Sequence, residues 1–172
     1  MGIDSIRTVD ATMEARMNRQ TRIDLLAVAS GGGHWVQLRR LALAWRGLRF
    51  VYASVAAPEH GLEAGMRPLR HYVLRDATRW DRWALLVLAW QLAGIVWRER
   101  PKVIMTTGAA PGLLAILWGR VSGAHTIWID SLANVDRLSG AGRLAMYLAH
   151  ECLTQWPHLA KVGGPVYKGS VW

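Results

Sequence analysis

A chain of 172 residues with 52% apolar side chains has enough for one domain with one buried core. Its formal charge of +9 and pI near 10.8 call for an anionic partner, whether nucleic acid, an anionic membrane surface or a phosphorylated substrate. A single cysteine, Cys152, excludes an internal disulfide and a cysteine-rich metal centre, while ten tryptophans against one phenylalanine favour bilayer or protein interfaces.

Residues 1–21 are polar, mixed in charge and without a targeting signal, so a loose arm is expected before one Rossmann-like domain over 22–172. Ile23 to Ala29 reads as a strand, Ser30-Gly31-Gly32-Gly33-His34 as a glycine hinge, and Trp35 to Trp45 as a helix with apolar residues at helical spacing. Three glycines allow close approach of backbone, and the first N–H groups of the helix face whatever sits above them. A phosphate or diphosphate is the expected guest. The loop lacks the Lys-Ser or Lys-Thr of a P-loop and the spacing of the dinucleotide fingerprint, and a tight turn without ligand is the alternative.

Leu48 to Ser54 reads as the second strand, Pro58 to Met66 as an irregular or helical connection, and Arg70 to Arg75 as the third strand. From Trp83 to Trp97 the only polar side chain is Gln91, with Arg79, Asp81 and Arg82 before the run and Arg98, Glu99 and Arg100 after it. Fifteen residues of helix rise about 22 Å, short of a bilayer core of about 30 Å. Trp83, Trp90 and Trp97, seven apart, share one face. That face is either packed in the core or laid in a membrane interface with arginines on lipid phosphates.

Pro101 stops this helix, Lys102 to Thr107 reads as a fourth, buried strand, and Gly108-Ala109-Ala110-Pro111-Gly112 precedes a helix over Leu113 to Val121. Strand, small-residue loop and helix thus occur twice. In a parallel sheet both loops lie at the carboxyl ends of their strands, and Ser30, Gly31, Gly32, Gly33, Thr107, Gly108 and Gly112 together suit a diphosphate. Ala124 to Asp130 reads as the fifth strand, and the polar loop Ser131 to Gly140 carries Asn134, Asp136 and Arg137. Ser139 to His150 is the next helix, Cys152 to Trp156 a last strand, and a tail follows. The whole is an α/β, Rossmann-like parallel sheet of about six strands with helices on both faces. Cys152 is expected as core rather than nucleophile.

Ser30 to His34, Thr107 to Gly112, the block Ile127-Trp128-Ile129-Asp130-Ser131-Leu132-Ala133-Asn134-Val135, Gln155-Trp156-Pro157 and Gly164 to Gly169 together resemble the acceptor-binding half of MurG-like glycosyltransferases. The pattern resembles more closely still the PssD-type subunits and their eukaryotic relative, asparagine-linked glycosylation protein fourteen. Relatives often have Glu in place of Asp130. The resemblance implies the N-terminal half of a GT-B fold that lacks a nucleotide-sugar domain of its own. It also implies a PssE-like catalytic partner that binds the UDP-sugar, without which the chain is inactive, and a polyprenyl-diphosphate-linked saccharide as acceptor. The expected place of work is the cytoplasmic face of the inner membrane, held peripherally, because the arm shows no counterpart of the eukaryotic anchor. Attachment then falls to Arg79, Trp80, Arg82, Trp83, Trp90, Trp97 and Arg98.

His34 is the first candidate for the general base on the acceptor hydroxyl, since histidine is the side-chain type that exchanges protons near neutral pH. It can equally cap a loop. Asp130 competes as base or orients a hydroxyl or loop, and Ser131, Asn134 and Arg137 are expected at the acceptor or partner. No cofactor, resident metal or nucleic-acid partner is expected. The arginines are scattered, with no aromatic-basic strand motif to support a nucleic-acid module. A stand-alone hydrolase would need a serine elbow, a histidine metal pair or a Walker lysine, none of which is present. A scaffold that recruits the catalytic subunit without contributing to chemistry remains the other alternative.

Overall fold

The computed structural model describes residues 22–55, 67–78 and 80–171. The expected arm, the connection over 58–66 and Arg79 lie outside them. Seven strands form one sheet in the order β3-β2-β1-β4-β5-β6-β7 with every pairing parallel. They are β1 Leu25–Ala29, β2 Phe50–Ser54, β3 Arg70–Val73, β4 Val103–Thr106, β5 His125–Ile129, β6 Glu151–Thr154 and β7 Val166–Tyr167. The connecting helices are α1 Gly33–Arg40, α2 Arg82–Glu99, α3 Ala109–Ser122 and α4 Gly140–Leu148, and α1 continues as a 3-10 turn over Leu41–Trp45.

Both faces of β1 are buried, which is why it reads as a continuous apolar run. Its alternate residues divide the core. Leu26 and Val28, with Ile23 just before the strand, meet Leu88, Leu92, Ile95 and Val96 of α2 on one side, while Leu25, Ala27 and Ala29 meet Trp35, Leu38 and Trp45 on the other. Ile116, Trp128, Ala145 and Cys152 close a third cluster beneath α3 and α4.

The sheet has one strand more than expected. β7 is two residues long and owes its existence to pairing with Leu153 and Thr154, so no sequence period announces it. α3 also begins at Ala109, four residues before the expected start. Gly108 through Gly112 is therefore mostly helix rather than loop, and Pro111 sits in its first turn, where its missing N–H costs nothing.

Candidate functional site

The strand order reverses direction between β1 and β4: β1 leads outward to β2 and β4 to β5. The loops leaving these two strands consequently diverge and open a crevice at the carboxyl edge, where ligands of open α/β sheets bind. On the β1 side Gly32 caps α1 with φ 61° and ψ −136°, a conformation that an L side chain rarely adopts. The first helical bond runs from Val36 N to Gly32 O, so the N–H groups of Gly33, His34 and Trp35 have no partner within the helix. A Cβ placed on Gly31, Gly32 or Gly33 would meet no atom within 4 Å. The space above the loop is open, and the first turn carries no acidic side chain.

On the β4 side Gly108 has φ 134°, and a Cβ there would lie 2.7 Å from His34 Cε1. The histidine is thus seated against the second loop. Two hydrogen bonds clamp it: His34 Nδ1 bonds the Thr107 carbonyl at 2.7 Å, and Thr107 Oγ1 donates to the His34 carbonyl at 2.7 Å. A carbonyl only accepts, so Nδ1 carries a proton, and in the neutral tautomer with that proton Nε2 is the accepting nitrogen. Thr107 is fully buried, and its hydroxyl ties the two loops together. Ser30 stays half-buried at the loop entrance.

Asp130, at the end of β5, is 2% exposed and fully engaged. Its carboxylate accepts from Ser139 Oγ at 2.6 Å, Ser139 N at 2.9 Å, Asn134 Nδ2 at 3.1 Å and Trp128 Nε1 at 3.2 Å. All four donors belong to its own strand, the loop that follows and the cap of α4, so the carboxylate ties that loop down. Ser139 passes the connection on by capping α4 at Gly142 N.

Two buried glutamines complete the site, and neither had been given a role from sequence. Gln155 donates to the Asp130 carbonyl at 2.9 Å and to Gln37 Oε1 at 3.3 Å, and Gln37 donates to Ser131 Oγ at 3.2 Å. α1, the loop after β5 and the end of β6 are thereby tied at one edge. Gln155 Oε1 also accepts from Val171 N, drawing the tail to the same place. The available signal was a glutamine among the inward positions of α1, between Trp35 and Leu38.

Not every expected site residue gathers there. Gly112 is buried inside α3, where a Cβ would meet Thr106 Oγ1 at 2.3 Å and Trp128 at 3.1 Å, so its role here is close packing of helix on sheet. Arg137 lines a separate hollow of about 370 Å³ with Arg143, Tyr147 and Lys161. Cys152 is buried, and burial, with the Asp130 carboxylate, pushes its thiol up to about 12, which suits core and not nucleophile.

The tryptophans of α2, and Trp80 just before it, face outward. Trp80 and Trp83 are each 80% exposed, Trp90 75% and Trp97 48%, with Arg82 and Arg98 exposed beside them. Ala84, Leu88, Leu92, Ala93 and Val96 take the inward face. Gln91 fixes the helix against the sheet by donating to Val73 O and accepting from Arg75 N. The part of α2 that holds Trp83 therefore lies about 12 Å along the helix axis past the end of β3. Among the described residues no helix is long and apolar enough to cross a membrane, and no three of His, Cys, Asp and Glu group as a metal site.

Over 67 residues the chain is 33% identical to the UDP-N-acetylglucosamine transferase subunit ALG14 of Eremothecium gossypii, covering 36% of this chain and 30% of that one. Its fold is similar to that of MurG from Acinetobacter baumannii, with a TM-score of 0.62 at 11% identity over 84% of this chain and 45% of that one. A glycosyltransferase from Rickettsia africae gives 0.58 at 12% identity, covering 78% and 37%. The UDP-GlcNAc 2-epimerase of Methanocaldococcus jannaschii gives 0.52 at 10% identity, covering 77% and 39%. No family model matches the chain. The chain spans under half the length of each of these proteins, and its architecture is that of one Rossmann-like half of a GT-B fold. The epimerase shares that architecture, so the fold alone does not name the reaction.

Proposed function

We propose that this chain is the acceptor-binding subunit of a two-component glycosyltransferase, active only with a partner that binds the UDP-sugar. The observation that carries the reading is the His34–Thr107 clamp, which holds two glycine-bearing helix starts side by side at the crevice between β1 and β4. Support comes from the similarity to a transferase subunit and from the match to less than half of MurG. In this reading the N–H groups of Gly33, His34 and Trp35 and the backbone at Gly108 receive the diphosphate of a polyprenyl-diphosphate-linked saccharide, with both helix dipoles favouring its charge.

His34 is the general base. Its Nε2 takes the proton of the acceptor hydroxyl as that oxygen attacks the donor sugar, while the Thr107 carbonyl stabilises the imidazolium through Nδ1–H. Asp130 holds the loop from Ser131 to Ser139, which we assign to contact with acceptor or partner. The outward tryptophans of α2, with Arg82 and Arg98, dock the chain peripherally on the cytoplasmic membrane face, at the level where the acceptor's diphosphate emerges.

The test is sugar transfer from labelled UDP-sugars to polyprenyl-diphosphate-saccharide by each subunit alone and by the pair. Activity confined to the pair supports the proposal. Transfer by this chain alone, or none by a correctly folded pair, overturns it.

A further inference from the structure

The end of α2 remote from the crevice carries a feature that the proposed site does not use. The helix stops on Arg100 in the left-handed conformation, φ 45° and ψ 56°, with its N–H bonded to Val96 O. Glycine is the usual occupant of that position, because a Cβ is crowded there. Among the described residues only Arg100 and Ala109 hold a positive φ with a side chain. A strained backbone that keeps an arginine directs attention to what the arginine does.

Arg100 lines a hollow of about 420 Å³ with Arg22 and Ser122 at the amino edge of the sheet, and Trp97 and Val121, 48% and 63% exposed, form its apolar rim. Arg22 donates through Nε to the Arg100 carbonyl at 3.2 Å, which fixes its stem beside the hollow. Among the described residues neither guanidinium has a carboxylate partner. Glu99, beside Arg100 in the chain, is already held by Arg70 and Tyr72. Two unpaired guanidinium groups over one hollow repel each other until an anion sits between them, and their forked donors match phosphate oxygens.

We infer that this hollow receives the phosphate of an anionic phospholipid, with Arg22 and Arg100 on the phosphate and Trp97 and Val121 in the interfacial layer. The inference rests on the reading of α2 as the membrane-docking face, since Trp97 belongs to both the tryptophan row and the rim. A lipid headgroup fits better than a dissolved anion because the exposed Trp97 and Val121 border the same hollow as the two arginines and can enter the interfacial layer beside it.

The test measures binding of the full chain to vesicles of phosphatidylcholine alone and of phosphatidylcholine with about 30% phosphatidylglycerol. Arg100→Gly should raise the melting temperature by about 2 °C, because it relieves the left-handed strain. It should at the same time weaken binding to the anionic vesicles about fivefold and leave neutral-vesicle binding unchanged. Arg22→Gln should weaken anionic binding alike, whereas Arg46→Gln, which removes the same charge on the opposite face of the sheet, should not. Anionic binding retained in the Arg22→Gln, Arg100→Gly double variant overturns the hollow but leaves the docking face standing if Trp83→Ala still weakens binding to both vesicle types. Displacement of the chain from anionic vesicles by soluble glycerol phosphate at matched ionic strength also overturns it. Vesicle binding indifferent to Trp83→Ala and Trp90→Ala overturns the docking face and the inference together.

Discussion

His34 and Asp130 compete for one chemical role in the sequence and have different surroundings in the fold. The histidine keeps one nitrogen free beside an open loop, while the aspartate spends both oxygens on Ser139, Asn134 and Trp128. His34→Gln should therefore lower turnover of the proposed two-subunit enzyme by about 10² to 10⁴ with little change in melting temperature. Asp130→Ala should do the reverse, costing about 3 kcal/mol of stability through the donors it strands, while the fraction that stays folded turns over within tenfold of wild type. Kinetics and thermal unfolding on the same preparations check both, and equal turnover in His34→Gln and wild type removes the histidine from the chemistry. The glycines and His34 were legible because their types are unusual in a strand-to-helix turn. Gln37 and Gln155 were not, since their roles depend on Ser131 and on each other, 94 and 118 positions apart.

At the scale of the element, α2 shows where sequence reasoning stopped. A helix apolar all round fixes neither its inward nor its outward face, and the spacing of the tryptophans by seven fitted a core stripe as well as a surface row. Small and branched residues settle it: Ala84, Leu88, Leu92 and Val96 fit against β1 and β2, and the bulkier indoles are left outside. Replacing Trp83 and Trp90 by Ala should leave thermal stability within about 0.5 kcal/mol, as for other exposed positions, while weakening vesicle binding at least tenfold. A cosedimentation series with matched unfolding curves would show it, and a large loss of stability would mean that these side chains pack in the fold. α3 shows the opposite error. The small-residue run before Leu113 was read as loop because Gly and Pro break helices in general, yet Gly112 is what lets α3 approach Thr106 and Trp128.

For the molecule as a whole, alternation of apolar runs with helical spacing was sufficient to anticipate a parallel sheet, because consecutive parallel strands need crossovers. Strand order and the two-residue β7 were not accessible, since they depend on pairings between distant segments. One such long-range contact ties β3 to the far end of α2: Glu99, 2% exposed, accepts two hydrogen bonds from Arg70 and one from the Tyr72 hydroxyl. Burial alone would raise its pKa, but these bonds outweigh burial and hold the carboxyl below its ordinary 4.5. A depressed folded-state pKa gives stability that is complete above the unfolded value and is lost as pH falls through the folded one. The urea midpoint should therefore decline as pH drops below about 4.5, and Glu99→Gln should flatten that part of the curve while lowering the midpoint at neutral pH. An unchanged acid limb in the variant would assign the effect to other carboxylates.

The lie of α2 also bears on how catalysis would be measured. The helix runs from beyond the carboxyl edge to the amino edge with its tryptophans in one outward row, so a chain resting on that row sets its strands roughly along the plane of the membrane. Under the proposed function, encounter with a lipid-borne acceptor then becomes a search in two dimensions, and rate should follow the mole fraction of acceptor in the lipid film. Adding inert lipid at constant bulk acceptor would slow the reaction by surface dilution, as stirring in more solvent slows a reaction in solution.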